Sequence, residues 1–492
     1  MNGDQREQVR SNAKYLREVR PIDADEIHEY VEGTPHPAAV RQVLRESAFE
    51  LGLIERADGL FVPVAESPVT GPFHGVDTFP EEYGFALEEL LVERYGPGWP
   101  EGEAGEALRE TIRAVKEDYL YQRDVEYDAE TALAYALDHL PDYYATTQYV
   151  LAELAADGLV GRQLRVLDVG AGVGGPALGL HDLLPEDALV DYHAVEPSDA
   201  AGVLESLLEE TDRNFHATVH RETAEEFDPE ALLSEENGSG DAADSSDGDS
   251  HAAAPEEGFD LILFSNVLSE LAEPAAVVER YGEALSPDGT VVATAPADRN
   301  TAVGLREVER AVADDGPFTV YAPTVRLWQG ATPDDDCWSF DVRPDIEVPG
   351  FQRRLDEAGA GDGEFVNVDV QYAYSLFRID GRRRVDVSLD EGRVAKLGNS
   401  DTHVTNRVDC YAAKLSHDLS EGGNPLFRIG DGSQGVDHFA VLTDESALNA
   451  DLLTAGYGDL LAFQNALVLW NDDEEAYNLV VDGETVVDRV PV

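Results

Sequence analysis

A chain of 492 residues carries 100 acidic against 35 basic side chains and a formal net charge of −65. That balance excludes the broad basic footprint nucleic-acid binding normally uses, and leaves only local arginine clusters for phosphate contact. The acids are spread along the chain and only Lys14, Lys116, Lys396 and Lys414 are lysines, as expected of a halophilic protein working in molar salt, where a Debye length of about 3 Å screens self-repulsion. An acidic chaperone would instead gather its charge in runs.

Residues 5–65 read as three helices and a small β-element. These are Gln5–Val19, Asp23–Val31 with Asp23 as N-cap, Pro37–Ile54, and a strand over Leu60–Val64. The order predicts a winged helix-turn-helix over 1–65. Its third helix carries Arg41 and Arg45 beside Glu46 and Glu50, a poor surface for reading DNA, so docking to protein or RNA is the rival role. Residues 66–124 are a connecting region with helices at Tyr83–Tyr95 and Ala107–Tyr121. Ala129–Ala156 is a long helix leading into a central domain over 125–385.

The first strand and glycine turn of that domain are Leu164–Gly175, LRVLDVGAGVGG. An apolar run with one acid, Asp168, enters a glycine turn, and Pro176–Leu183 follows as a helix whose N-terminus faces a ligand. Val190–Glu196 is a second strand ending in an acid placed for ribose hydroxyls. Thr218–His220 is a third strand, and Phe259–Phe264 a fourth. Ser265–Leu271 leaves the fourth as a helix, Leu285–Gly289 turns, and Thr290–Ala295 is a fifth strand. Residues 234–257 are Gly, Ser, Asp and Ala with almost no large apolar side chain, which predicts a disordered acidic insertion. The fold class is α/β, a doubly wound, Rossmann-like parallel sheet.

The glycines satisfy both GxGxG and GxGxxG, so they do not decide the nucleotide. Asp168 sits two residues before Gly170, where dinucleotide folds usually keep an apolar residue. The apolar–Asp–apolar–Gly pattern points instead to S-adenosyl-L-methionine. Its expected contacts are Asp168, Gly170, Ala171, Gly172 and Gly174 at the methionine end and Glu196 at the ribose. Glu222 and Thr223 lie near the adenine, and Ser265 and Asn266 on the methyl-transfer face. No Asn-Pro-Pro-Tyr acceptor signature follows the fourth strand, and Glu270 reads more readily as a surface helix glutamate than as a polar participant, so catalytic residues stay unassigned.

From 400 to 492 strands at Arg407–Lys414, Pro425–Ile429, Asp437–Leu442, Asp459–Leu469 and Ala476–Val481, with a helix at Asn449–Leu453, match an OB-like barrel. Such barrels stack single-stranded bases on aromatics. Phe427, Phe439 and Trp470 with Arg407 and Arg428 are candidates, and core filling is the alternative for each ring. Arg378, Arg382, Arg383 and Arg384 form the densest basic cluster.

Several stretches occur in a telling order: Tyr135–Leu154, the Asp168 loop, Asn266–Leu271, Ala322-Pro323, Cys337–Phe340 and Tyr372–Arg378. Together they resemble the methyltransferase-like proteins associated with the small ribosomal subunit, best known from mitochondria, here in an acidic, haloarchaeal-like form. The resemblance covers 125–385 and implies rRNA or the small subunit as partner. That family's usual form holds a four-cysteine cluster. This chain has no cysteine in Tyr321–Gln329 and only Cys337 in the Cys-Trp-Ser-Phe stretch. No iron–sulphur cluster or other metal is therefore expected. With no secretory signal and no apolar run of about 18 residues, the chain reads as cytoplasmic, without a membrane partner. The expected activity is rRNA methylation. The rivals are a non-catalytic assembly factor that binds the same cofactor, and a DNA-associated winged-helix and OB protein. A small-molecule methyltransferase would need neither flanking module.

Overall fold

The computed structural model describes residues 1–238, 258–334, 336–387 and 389–491. Helices α1 (Gly3–Leu16), α2 (Ala24–Ile27), α3 (Pro37–Glu46) and α4 (Ala48–Leu51) precede strands β1 (Leu53–Glu55) and β2 (Phe61–Pro63). Then come α5 (Glu81–Tyr95), α6 (Gly102–Leu120) and α7 (Ala129–Ala156). Alternation begins with β3 (Gln163–Val169), α8 (Gly175–Leu183), β4 (Leu189–Val195), α9 (Ala200–Leu208), β5 (Phe215–His220) and α10 (Pro229–Gly238). It continues through β6 (Phe259–Ser265), α11 (Pro274–Gly282), β7 (Leu285–Pro296), α12 (Arg299–Ala313), β8 (Thr319–Ala322), β9 (Asp341–Arg343), α13 (Gly350–Glu357) and β10 (Val370–Arg378). The last part holds β11 (Arg407–Lys414), β12 (Leu426–Gly430), β13 (His438–Leu442), α14 (Asp451–Thr454), β14 (Leu460–Asn471), β15 (Ala476–Val481) and β16 (Val486–Arg489).

The chain divides into two compact units, one of residues 1–227, 259–261 and 345–369, the other of 228–258, 262–344 and 370–492. In the first, α1 to α4 enclose Val9, Val40, Leu44 and Phe61, and β1 and β2 pair antiparallel. Asp23 caps α2 as expected, its carboxylate accepting from Asp25 N. The single helix expected over Pro37–Ile54 is broken at Ser47, a buried residue whose hydroxyl accepts from Arg10 Nε at 2.9 Å. Gly52 then takes a left-handed turn (φ 59°), and Leu53 and Ile54 become strand. Arg41 and Arg45 both turn to the buried Glu55 carboxylate, at 3.8 and 2.5 Å. They are counter-charges for that acid rather than a free basic face.

α7 has the expected bounds, is capped by Asp128, and is buried along nearly its whole length despite Pro141. α8 lies directly against it. A Cβ on Gly175 would come within 2.7 Å of Tyr143 Cβ, and one on Gly179 within 2.6 Å of Tyr144 O. Glycine at these two positions is what lets the helix after the loop seat so closely.

The strand order is β5-β4-β3-β6-β7-β10-β8, with β9 paired to β10. β3, β4 and β5 are parallel; the apolar runs of β3 and β4 are buried, as strands covered on both faces must be, whereas β5, at the sheet edge, buries only Phe215. The sheet is mixed rather than purely parallel, because β10 runs antiparallel to both β7 and β8. This insertion separates the fold from the plain dinucleotide-binding order 3-2-1-4-5-6. Two local expectations fail: Leu285–Gly289 is part of β7, and Ser265–Leu271 yields only a 3₁₀ turn at Leu268–Glu270. Of the expected insertion, residues 234–238 end α10 and 239–257 lie outside the described residues.

The C-terminal strands order as β11-β12-β13-β15-β14, and β14 returns to β11, closing a five-stranded barrel. β13 and β15 are parallel, and α14 lies between β13 and β14. This is the OB order expected. Its core holds Cys410, Phe427, Ile429, Leu461, Phe463 and Leu479, and β16 extends β14.

Candidate functional site

The glycine loop leaves the carboxyl end of β3, where Asp168 is 0 % exposed. Tyr192 OH, from β4, donates to Asp168 Oδ2 at 2.5 Å, while Oδ1 is buried without a hydrogen-bond partner. Burial pushes this carboxyl up to about 7; the Tyr192 hydroxyl opposes the shift and the Glu196 charge adds to it. Past β3 the chain is pinned to β4 by Gly170 N and Ala171 N, which donate to Val195 O at 2.9 and 3.2 Å.

Glu196, buried at the end of β4, faces the same loop. Its Oε2 accepts from Gly172 N at 2.8 Å. Its Oε1 accepts from Ser198 N and Oγ at 2.9 and 2.5 Å. Gly172 and Gly174 have φ of 54° and 98°, and a Cβ at Gly174 would lie 2.8 Å from Leu204 Cδ1. Asp168, the glycines and Glu196 thus form one constellation. Thr223 and Glu222 stand apart in their contacts: the Thr223 hydroxyl accepts from Glu226 N at 3.3 Å, starting a turn, and Glu222 is exposed.

In the second unit Ser265 ends β6 and Asn266 adopts φ 60°. Asn266 N donates to Thr294 O at 3.1 Å, so the turn is held by β7. Asparagine tolerates this region better than most residues, and such strain is stored at functional turns.

A cluster that composition and motif did not bring out borders the loop. Tyr135, His139 and Tyr143 are spaced i, i+4, i+8 on one face of α7, and that spacing was the available signal. Tyr135 OH donates to Tyr143 OH at 3.0 Å, and the His139 ring stacks on Tyr143 at 5.1 Å. His139 lies 3.3 Å from Asp142 and 3.4 Å from Asp138, and Lys116 pairs with Asp138 at 3.0 Å. Burial lowers the His139 pKa, but the two carboxylates outweigh it and the net direction is up. Tyr143 abuts Gly175, at the end of the loop, and Tyr127, whose ring packs edge-on to Tyr135 at 5.3 Å, accepts through its backbone O from Asp199 N at 3.2 Å, after β4.

Two of the expected RNA contacts, Arg378 and Phe427, are corrected by burial. Arg378 is 0 % exposed, pairs with Asp380 at 2.6 Å and donates to Thr290 Oγ1 at 2.9 Å; it is a structural cation and offers nothing to phosphate. Arg382 and Arg383 are exposed, Arg383 donating to Arg326 O at 2.9 Å, and Arg384 is half-buried. Arg407 pairs with Asp482 at 2.6 Å and Arg428 with Asp437 at 2.5 Å. Phe427 fills the barrel core, so stacking falls to Phe439, partly exposed, and Trp470, exposed and edge-on to Tyr477. Cys337 packs with Val325, Ala413 and Leu415. Among the described residues no helix is long and apolar enough to cross a membrane, and no His, Cys, Asp and Glu group could hold a metal ion.

Residues 121–343 match a family model described as a methyltransferase domain. Residues 6–57 and 398–490 match the N-terminal and C-terminal domains of a family described as a domain of unknown function, DUF8157. No curated protein matches the chain. Among solved structures, it is similar to the plantazolicin methyltransferase BpumL in complex with SAH, at 13 % identity over 60 % of this chain and 99 % of that one (TM-score 0.27). It is also similar to the magnesium protoporphyrin IX methyltransferase ChlM from Synechocystis PCC 6803 with bound SAM, at 17 % identity over 43 % and 87 % (TM-score 0.25). The (4+2)-cyclase SpnF shares 14 % identity over 62 % and 98 % (TM-score 0.28). The methyltransferase domain thus lies between the two stretches that match the models of the second family.

Proposed function

We propose that this chain is an S-adenosylmethionine-dependent methyltransferase acting on RNA of the small ribosomal subunit. The observation that carries the cofactor is the unpartnered, buried Asp168 Oδ1 beside a glycine loop that Glu196 tethers at Gly172 N. A buried acceptor without a donor fits a ligand bringing its own N–H groups or positive charge. When bound, S-adenosylmethionine supplies an electrophilic methyl group on a sulfonium. The chain's part is then orientation. Asp168 and the Gly170–Gly174 turn hold the methionine end, the Glu196 carboxylate takes the ribose, and Thr223 and Glu222 are assigned to the adenine. Ser265 and Asn266, at the carboxyl end of β6, face the acceptor. Transfer of this kind depends on in-line placement more than on a dedicated base.

The small-subunit assignment rests on the order of short stretches from Tyr135 to Arg378 and on the two flanking domains. The winged-helix reading of residues 1–65 belongs to the same proposal. A second reading, a cofactor-binding assembly factor without catalysis, is favoured by the missing acceptor motif after β6, where Phe264–Glu270 reads FSNVLSE. Methyl transfer from labelled S-adenosylmethionine to small-subunit rRNA in molar KCl separates the two. Incorporation that Glu196→Gln removes supports the enzyme. Binding of cofactor and subunit without incorporation supports the assembly factor, and association with DNA alone contradicts both.

A further inference from the structure

A cavity of about 610 Å³ lies on the outer face of the barrel, within the size range of about 300–1,000 Å³ typical of small-ligand sites. Its floor is the cross-strand pair Arg428 and Phe439, directly opposite each other on β12 and β13. Trp338 and Phe340 form a wall, with ring centroids 5.9 Å apart. Trp338 is 38 % exposed, and its indole N–H is anchored to Ala297 O at 3.0 Å, so the ring is held in place while one face stays open.

The charges decide the guest. Arg428 is paired with Asp437 and Arg299 with Asp336 at 2.7 Å, so the two cations of the cavity are already matched. Asp334, Glu474 and Glu475 remain at the rim, exposed and without an ion pair among the described residues. A single-stranded nucleic acid would carry its phosphates to three uncompensated carboxylates. A cation on an apolar or planar stem meets aromatic faces and carboxylates together, the arrangement that holds guanidinium groups. Arg428 also has one guanidinium nitrogen, Nη1, buried without an acceptor although its side chain lines the cavity. A peptide carbonyl satisfies that donor without adding negative charge. Molar salt weakens the exposed carboxylates by screening but not the stacking on the rings, so wall and rim both contribute to the affinity.

We infer that this cavity, built from the Arg428–Phe439 pair, Trp338 and Phe340 under an acidic rim, takes an arginine-bearing segment of a protein partner. The barrel face is then a peptide-docking site rather than a single-strand platform. This goes beyond the proposed methyl transfer and stands whether or not transfer occurs.

The test titrates an acetylated, amidated peptide of alternating glycine and arginine into the full chain in molar KCl, followed by calorimetry. The comparison probes are the same peptide with citrulline for arginine, and a short oligouridylate. Saturable binding is expected, weakened about tenfold or more by citrulline or by Trp338→Ala. The double variant Glu474→Gln/Glu475→Gln, on an exposed turn that leaves the fold alone, weakens it in the same direction. Equal affinity for the arginine and citrulline peptides, or affinity unchanged in both Trp338→Ala and the glutamine variant, would overturn the inference. So would displacement of the peptide by oligouridylate, which would return the face to nucleic acid.

Discussion

Replacing Asp168 by asparagine separates its buried charge from its shape. Asparagine keeps an acceptor for the Tyr192 hydroxyl, which lies 2.5 Å from Oδ2, and removes the titration. The wild-type carboxyl titrates near 7 in the folded chain, against 3.8 for the ordinary group. Between those values the folded state holds a proton that the unfolded state has released, so stability falls as pH rises. Three pH units at 1.36 kcal/mol each make the full penalty about 4 kcal/mol above pH 7, and almost none of it remains below pH 4. Asp168→Asn carries no such penalty. Urea denaturation of the two proteins at fixed KCl, at pH 4.5 and pH 8, should therefore show the variant gaining on the wild type by about 3 kcal/mol as pH rises. A difference that does not change with pH would refute the reasoning, because the carboxyl would then be charged and compensated in the fold.

Other consequences can be measured separately. Gly175→Ala forces a methyl group against Tyr143 Cβ and Tyr144 N, and should lower stability by about 1–3 kcal/mol in a thermal melt through overpacking. Glu309 is buried between Arg306 and Arg326, at 2.7 and 2.5 Å. Burial raises its pKa, but the two guanidiniums outweigh that and hold it at about 2. Glu309→Ala leaves the buried Arg306 without its carboxylate, while Arg326 keeps Asp314, and should cost about 3–5 kcal/mol near neutral pH. Because the folded pKa is depressed, the wild-type advantage is complete above about pH 4.5 and shrinks as pH falls towards 2, which denaturation at descending pH reads directly. Arg378→Ala should destabilise the chain by about 1–3 kcal/mol by emptying a fully buried site and leaving the buried Thr290 hydroxyl without its donor, while leaving the salt dependence of any RNA binding unchanged. A reduced salt slope would restore Arg378 as a phosphate contact.

The elements that were legible are those whose signal is local. β3, β4 and β6 are apolar runs ended by turn residues, and α7 starts at the cap Asp128 and runs unbroken to Ala156. The alternation and turns of the barrel strands gave its order, since β11 and β15 have the expected bounds. What was not legible depends on partners far along the chain. α12 buries Arg306 and Glu309 on its inner face, where the pattern expects apolar residues, because their counter-charges come from Arg326 and from Ser375 on β10. The reversal of β10 has no local mark at all. Arg378 resembles a surface cation until Asp380, two residues on, is seen to neutralise it. At the site, Asp168, the glycines and Glu196 were readable because their chemistry is set by spacing after a strand. The Tyr135–His139–Tyr143 face was not, because aromatic residues at helical spacing ordinarily fill a core.

The central claim is that the loop after β3 binds S-adenosylmethionine, and calorimetric titration of that compound into the purified full chain in molar KCl tests it most directly. Saturable binding that is lost in both Asp168→Ala and Glu196→Ala, each verified as folded, is the predicted result. No heat of binding from a folded wild-type chain, or binding that both variants retain, would contradict the assignment of this loop.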